Sequence, residues 1–94
     1  MVAVYVKENL KDGVRDEYVE YMREAMRLTK LEEGNVAYDL YVPADEPNGC
    51  VMIEVWETKE ALDRHMNTEH FLKFIPGGDV YKSAPSEIRI FESL

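Results

Sequence analysis

The sequence predicts an α+β domain in which a four-stranded antiparallel sheet carries its helices on one face. Three observations support this prediction. Four short segments rich in Val, Ile and Tyr have the composition of strands, two amphipathic stretches have helical spacing, and together they follow the order β-α-β-β-α-β. This order is that of the ferredoxin-like arrangement. The 94 residues are enough for one compact domain, so residues 1-94 are expected to form a single domain.

The first strand and the first helix are predicted from the N-terminal third of the chain. Met1 to Asn9 contains a nearly continuous apolar run, which is typical of a strand buried on both faces. From Val14 to Leu31, apolar residues recur at spacings of three and four, as in an amphipathic helix. Asp12 is the predicted N-cap of this helix, and Gly34 is the predicted stop after it.

A β-hairpin is predicted next. The segment Asn35 to Val42 alternates as a strand does, and its apolar face holds Val36, Tyr38, Leu40 and Val42. Pro43 to Gly49 is rich in turn-forming residues and ends in the strong Asn48-Gly49 turn signal. It is expected to join the second strand to a third at Cys50 to Glu57.

The C-terminal part of the chain supplies the second helical region and the last strand. Thr58 is the predicted N-cap of a helix from Lys59 to Met66. A second short helix is expected to run through Phe74 and to end at Pro76-Gly77-Gly78-Asp79. Glu87 to Phe91 then alternates as a fourth strand.

The sheet face opposite the helices has no cover within the chain. Several strands carry Val, Tyr and Ile on both faces, so a solvated second face would expose a large apolar patch. A domain of this size also gains from burial through association. We therefore expect a homodimer that packs sheet against sheet.

Composition excludes several classes of protein. The net charge of -8 argues against nucleic acid and anionic membranes as partners, because both favour Lys and Arg. The single cysteine, Cys50, excludes an internal disulfide. There is no apolar run near 18 residues, and the opening Met1 to Val6 leads directly into Lys7-Glu8 rather than a signal peptide. A cytoplasmic protein without membrane insertion is expected.

The sequence shows no recognisable metal or cofactor motif. His65 and His70 are five residues apart and would lie on opposite sides of one continuous helix. A break at Asn67-Thr68 could bring them together, but the sequence suggests no third ligand. Gly77-Gly78 follows a helix instead of opening one, so it is not a phosphate-binding loop. We expect no metal, flavin, nicotinamide or nucleotide.

The third strand and the following helices indicate a pocket. Met52, Glu54 and Trp56 share one strand face, and His65 can reach the same apolar space from the helix. Such a site could stack a flat ligand and move a proton. Four aromatic residues could line it, namely Tyr18, Tyr21, Tyr38 and Phe71. His70 would lie at its rim.

Each of these residues also has a structural interpretation. Trp56 is a common type of core residue, and Glu54 could pair with Arg89 or Lys82 on a neighbouring segment. His65 near a helix C-terminus is favoured there by the helix dipole. The residues by themselves therefore support a dimeric α+β domain with a hydrophobic pocket and leave its use open.

The segment from Glu54 to Phe74 resembles the antibiotic biosynthesis monooxygenase (ABM) family. The matching residues are Glu54-Val-Trp56, Thr58-Lys-Glu-Ala-Leu62, His65, and Thr68-Glu-His70-Phe71 with Phe74, supported by Gly34, Tyr38, Leu40 and Pro47-Asn48. The resemblance implies a dimeric α/β-barrel, in which two ferredoxin-like sheets pack face to face. It also implies a pocket between sheet and helices in each subunit.

Family members that this sequence resembles include cofactor-independent oxygenases of quinols and polycyclic phenols. By this resemblance Trp56 matches the family's pocket tryptophan, and His65 and His70 match its helix histidines. We expect His65 to accept a proton, Trp56 to form a stacking wall and Glu54 to orient His65.

Branches that degrade haem carry an Asn on the first strand. This sequence lacks that Asn, because the corresponding region is Val4-Tyr5-Val6. Polyketide-oxidising members carry an Asn four residues before the tryptophan, where this sequence has Met52.

The leading hypothesis is therefore a cofactor-independent monooxygenase that oxidises a quinol or a phenolic small molecule with dioxygen. The alternative is a non-redox isomerase or hydrolase of a small signalling metabolite, or a ligand-binding protein of the same fold without turnover. A purely structural dimer is the third interpretation. Oxygen consumption separates the first hypothesis from the other two.

Overall fold

A computed structural model describes the whole chain, Met1–Leu94, and confirms the predicted order of elements. The strands are β1 (Val2–Asn9), β2 (Asn35–Tyr41), β3 (Gly49–Trp56) and β4 (Glu87–Glu92). The helices are α1 (Arg15–Lys30), α2 (Lys59–His65) and α3 (Glu69–Gly77), and the 3₁₀ turn Gly78–Tyr81 follows α3. The sheet is antiparallel throughout, with the order β2-β3-β1-β4, which is the ferredoxin-like fold. None of the helices combines the length and the apolar character needed to cross a bilayer.

Alternation along β3 separates the two faces of the sheet. Cys50, Met52, Glu54 and Trp56 are buried beneath the helices. The residues between them, Val51, Ile53 and Val55, are half-buried on the open face. The predicted mixed face therefore does point toward the helices, because strand side chains alternate with a period of two.

Helix α1 packs on the sheet through one stripe of side chains. Its buried residues are Tyr18, Met22, Ala25 and Thr29. The predicted N-cap at Asp12 is wrong: Val14 occupies the N-cap position and makes no side-chain capping bond. Asp12 lies too far before the first turn, and its carboxylate instead accepts a hydrogen bond from the side chain of Asn48. This bond ties the loop before α1 to the end of the β2–β3 connection.

A β-bulge interrupts the alternation predicted for β2. The pairing register with β3 shifts between Asn35 and Ala37, so Val36 is left 51% exposed while Tyr38 is buried. The assignment of Val36 to the apolar face was therefore wrong. Val42 lies beyond the strand and is also exposed.

Two threonines start the two short helices. The Thr58 hydroxyl accepts a hydrogen bond from the Ala61 N–H at 3.1 Å, as predicted, and the Thr68 hydroxyl caps α3 through the Phe71 N–H at 3.2 Å. The expected break between the helices is thus present. Helix α3 continues past Phe74 through Pro76 and ends at Gly77, within the predicted stop at Pro76-Gly77-Gly78-Asp79.

Gly34 fixes the approach of α2 to the turn after α1. Its φ of +86° lies in the left-handed region, and a Cβ there would lie 2.6 Å from the Ala61 Cβ. The Gly34 carbonyl also accepts a hydrogen bond from the Glu57 N–H at 2.8 Å. The same turn carries Glu32 toward the two short helices.

Candidate active site

A cavity of about 150 Å³ lies between the sheet and the helices. Most of its walls are apolar, and the side chains that form them include Val4, Val6, Met22, Met52, Leu62, Phe74, Ile75, Ile88 and Ile90. Its polar groups fall into two sets. Glu54 and His65 form one set, and Glu8, Lys82 and Ser86 form the other. An apolar space with few polar groups is typical of a small-molecule site.

His65 is the last residue of α2, and its ring is almost completely enclosed. The residue is 2% exposed and lies at ring-centroid distances of 4.7 Å from Trp56, 5.2 Å from Phe71 and 5.4 Å from Tyr38. Its Nδ1 lies 2.7 Å from a carboxylate oxygen of Glu32. Its Nε2 is buried and has no hydrogen-bond partner. The ring is thus held on one side and has one free nitrogen.

The contact with Glu32 defines the tautomer of His65. An ionised carboxylate only accepts hydrogen bonds, so Nδ1 carries the proton and Nε2 keeps its lone pair. Burial lowers the pKa of His65, and the hydrogen bond and charge of Glu32 offset only part of that effect. The ring is therefore neutral near pH 7 and can accept a proton at Nε2.

Glu32 is the main residue of this site that sequence analysis did not identify. The same carboxylate oxygen lies 2.7 Å from His65 Nδ1 and 2.7 Å from His70 Nε2. Since Glu32 lies in the turn after α1, no strand or helix period relates it to the two histidines. His70 does not line the cavity, and its role in this structure is to bind Glu32 from α3.

Glu32, His65 and His70 together have the composition of a metal-binding set. Their nearest ligand atoms all lie within 4.8 Å of one another. However, both nitrogen–oxygen separations are 2.7 Å, whereas tetrahedral ligands held at about 2.0–2.1 Å from zinc lie roughly 3.3 Å apart. The spacing in this structure fits shared protons better than a shared ion.

Glu54 and Trp56 are hydrogen-bonded to each other. The Trp56 ring packs against His65, but Glu54 makes no hydrogen bond to His65. The Trp56 indole N–H donates a hydrogen bond of 3.0 Å to Glu54 Oε1. The role predicted for Glu54 in orienting His65 is therefore corrected, because Glu32 holds that position. Glu54 also pairs with neither Lys82, whose carboxylate partners are Glu8 and Asp79, nor Arg89, which lies over the Phe91 ring.

Trp56 lies behind the cavity. Its side chain is fully buried and does not line the space, so the indole supports His65 and Glu54 from the core. The predicted stacking wall for a ligand is instead available from other aromatic residues that do line the cavity, namely Tyr18, Tyr38 and Phe71. Tyr21 lies outside it, and its hydroxyl donates to the Phe74 carbonyl at 3.0 Å.

Burial makes the Glu54 carboxyl a weaker acid than an exposed glutamate. Desolvation raises the pKa of Glu54 to about 7, with the Trp56 hydrogen bond opposing the shift and the charge of Glu32 adding to it. The carboxyl therefore exchanges a proton near neutral pH. A pKa matched to the working pH is what acid–base catalysis requires.

This acidity predicts a pH-dependent difference in stability between the wild type and Glu54→Gln. The unfolded carboxyl ionises near its ordinary value of 4.5, and the folded one near 7, so Glu54 favours the folded state at low pH. That contribution is lost as pH rises from about 4.5 to about 7, by roughly 3 kcal/mol at most. Urea unfolding at several pH values should show the free energy of unfolding falling more in the wild type than in Glu54→Gln. Parallel curves for the two proteins would contradict the assignment.

Comparison with known proteins shows the family of this chain. Residues 1–77 match the sequence profile of the antibiotic biosynthesis monooxygenase family. YcnE of Bacillus subtilis (strain 168), a protein provisionally named a monooxygenase, is 32% identical over 88 residues, which cover 94% of this chain and 90% of YcnE.

Solved structures agree with this result. A crystal structure of an antibiotic biosynthesis monooxygenase is 29% identical, with a TM-score of 0.90 over 100% of this chain and 99% of the other. SnoaB of Streptomyces nogalater, a cofactor-independent oxygenase solved as a point mutant, is 21% identical, with a TM-score of 0.87 over 98% of this chain and 91% of SnoaB. The likeness to SnoaB shows the fold alone. With the profile match, the sequence identity to YcnE and the shared fold, this chain belongs to the antibiotic biosynthesis monooxygenase family.

Proposed function

We propose that this protein is a cofactor-independent monooxygenase that oxidises a quinol or a related phenol with dioxygen. The observation that carries the proposal is the state of His65. Its Nδ1 is bonded to Glu32, and its unpartnered Nε2 belongs to a residue that lines an apolar cavity. A general base needs this combination of fixed orientation and a free lone pair.

The chemistry requires an ionised substrate in a dry site. His65 Nε2 takes the phenolic proton, and Glu32 stabilises the imidazolium that forms. The phenolate passes one electron to dioxygen, and the resulting radical pair combines into a ring-bound peroxide. Loss of the ring hydrogen and cleavage of the O–O bond leave one oxygen as a new ring carbonyl and release the other as water. All four electrons that reduce dioxygen come from the substrate.

Glu54 supplies the second acid–base group of this scheme. Its carboxyl lines the cavity with His65, and its pKa of about 7 lets it return a proton to the departing oxygen. The Trp56 N–H holds one of its oxygens at 3.0 Å, which fixes the carboxyl without taking up both oxygens. Two groups of different acidity in one apolar space support a reaction that both removes and returns protons.

Oxygen uptake tests the proposal directly. Protein pretreated with a chelator and free of flavin should consume dioxygen with members of a panel of quinols and naphthols, and product mass should increase by one oxygen atom and decrease by two hydrogens. Uptake that stops after chelation would overturn the cofactor-independent mechanism. Absence of uptake, together with saturable thermal stabilisation by a phenol, would favour the non-redox or ligand-binding alternative.

We also propose that the protein is a homodimer formed through the open face of its sheet. Tyr41 and Phe91 on this face are 57% and 46% exposed, and Val51, Ile53 and Val55 are only half-buried. A contiguous apolar surface of this kind on a small domain favours association. Burial of the same patch on both copies would give the two-fold symmetric contact that most homodimers use.

A charge in the centre of this face is expected to separate the subunits. Wild-type protein should sediment with twice the mass of one chain, and Ile53→Asp should sediment as a monomer because a buried carboxylate would lack a partner. Leu72→Asp, at an exposed position of α3, serves as the control and should remain dimeric. A monomeric wild type at micromolar concentration would contradict this arrangement.

A further inference from the structure

Arg89 is an unpaired cation on the open face of the sheet. It is exposed on β4 and makes no ion pair within the chain, and its guanidinium carbon lies 5.2 Å from the centroid of the Phe91 ring. The other cation of this face, Lys7, is already paired with Glu46 at 2.5 Å. Arginine recognises carboxylates well, and an arginine left free among apolar side chains is suited to a carboxylate from another molecule.

The strand register places a carboxylate in the same row as Arg89. Tyr5 and Ile53 pair at the centre of the sheet, and Arg89 lies beside Tyr5 on β4. Asp39 lies beside Ile53 on β2, so the row carries opposite charges at its two edges. Within the chain, Lys30 contacts only Oδ1 of Asp39, at 2.7 Å, which leaves Oδ2 available.

A second copy can cover the centre of this face in two symmetric ways. Aligned sheets pack about 10 Å apart with their strands within about 30° of each other, so the two-fold axis lies between the sheets and runs either along the strands or across them. An axis along the strands places β2 over the partner's β4, and each row of residues over the same row. An axis across the strands places every strand over its own copy.

The charges favour the axis along the strands. In that arrangement Arg89 meets the partner's Asp39, and the contact occurs twice, once at each edge of the interface. The neighbouring row then brings the small side chain of Ala37 opposite the partner's Phe91. An axis across the strands, centred on the same row, would bring Arg89 against the partner's Arg89. Like charges placed together at an interface oppose association.

The same arrangement covers one side of the cavity. Ile88 and Ile90 line the cavity from β4, yet they are 62% and 59% exposed, because the helices pack chiefly over β2 and β3. The strands β2 and β4 are the two edges of the sheet, and each has an outer side without a partner strand. With the axis along the strands, the partner's β2 edge comes beside β4 and next to these two isoleucines.

We propose that two copies of this chain associate about an axis along their strands, with an ion pair between Arg89 and the partner's Asp39, and that the partner's β2 edge completes the cavity beside Ile88 and Ile90. The inference rests on the homodimer proposed above and is independent of the oxygenase chemistry. Each cavity is formed by the sheet and helices of one copy and closed by an edge of the other.

Charge reversal tests the ion pair by sedimentation equilibrium. Arg89→Asp and Asp39→Arg should each raise the Kd of the dimer at least about 100-fold, because each places like charges at both edges of the interface. The double variant restores opposite charges, and its Kd should return to within about fivefold of the wild-type value. Arg23→Asp makes the same change of charge on the exposed side of α1 and should keep the wild-type Kd.

The residue that rescues Arg89→Asp identifies the orientation of the axis. An axis across the strands, displaced by half the spacing between rows, would bring Arg89 to the partner's Glu87, and Glu87→Arg would then restore the dimer. Rescue by Glu87→Arg, no rescue by Asp39→Arg, or a wild-type Kd in either single variant would overturn the proposal. A monomeric wild type rejects the homodimer as well, whereas a dimer insensitive to these charges rejects only this orientation.

Thiol labelling tests the closure of the cavity. Ile90→Cys should react with a maleimide at least about tenfold faster when Asp39→Arg is added, because labelling requires an accessible thiol, and Arg89→Asp should then restore the slow rate. Leu72→Cys, at an exposed position of α3, should react equally fast in all three backgrounds. Cys50 is fully buried and does not contribute. Equal rates for Ile90→Cys in the dimer and the monomer would show that the partner leaves the cavity uncovered.

Discussion

Replacing His65 with Gln is expected to reduce kcat for oxygen uptake by about 10²–10⁴-fold, the usual contribution of a general base. A Gln side chain can still donate to Glu32 but cannot take a proton from a phenol. Substrate binding under argon should survive, since the apolar walls of the cavity are unchanged. Oxygen-electrode rates, combined with anaerobic titration of the same phenol, measure the two effects separately.

His70→Gln is the matched control for this variant. His70 contacts the same Glu32 oxygen at 2.7 Å but does not line the cavity, and a Gln amide can still donate to Glu32, so most of the activity should remain. In His65→Ala, added imidazole should restore part of the rate by occupying the vacated space. A folded His65→Gln protein with wild-type oxygen uptake would exclude His65 as the proton acceptor.

Trp56→Ala is expected to lower the free energy of unfolding by about 3–5 kcal/mol, as do other aromatic truncations in protein cores. The indole is fully buried between the sheet and α2, and it contacts both His65 and Glu54. Much of the loss comes from the cavity left behind, because neighbouring side chains relax only in part. Urea unfolding monitored by far-ultraviolet circular dichroism measures this loss.

Two further variants complete this test: Trp56→Phe separates packing from hydrogen bonding, and Leu72→Ala is a surface control. Trp56→Phe keeps most of the packing but removes the N–H that favours ionised Glu54, so the pKa of Glu54 should rise further above its ordinary range. Leu72→Ala, at a position 60% exposed on α3, should change stability by less than about 0.5 kcal/mol. Comparable losses in Trp56→Ala and Leu72→Ala would show that the indole is not a core element.

The fold was predictable because its signals are local. Strand alternation put Glu54 and Trp56 on one face, and Thr58 located the helix that carries His65. The same alternation contained two signals that the sequence analysis did not use. Adjacent positions on one strand face allow Glu54 and Trp56 to bond to each other, and Glu8 continues the buried series begun by Val2 and Val4.

The remaining features depend on contacts between distant parts of the chain. Glu32 meets His65 across 33 positions of sequence, through a turn that has no period of its own. The bulge that exposes Val36 is likewise invisible to an alternation rule, because one inserted residue shifts every later side chain to the other face. Periodicity therefore located the groups that could react but assigned the wrong orienting partner to His65.

The packing of α3 has a consequence for how the cavity opens. This helix forms part of the cavity wall through Phe71, Phe74 and Ile75, yet none of its residues is fully buried. It is thus among the more weakly held walls, and His70 on it reaches the carboxylate that orients the base. An outward swing of α3 large enough to admit a ligand would also pull His70 away from Glu32. The position of α3 at the cavity and the orientation of His65 are therefore linked through the contact between His70 and Glu32.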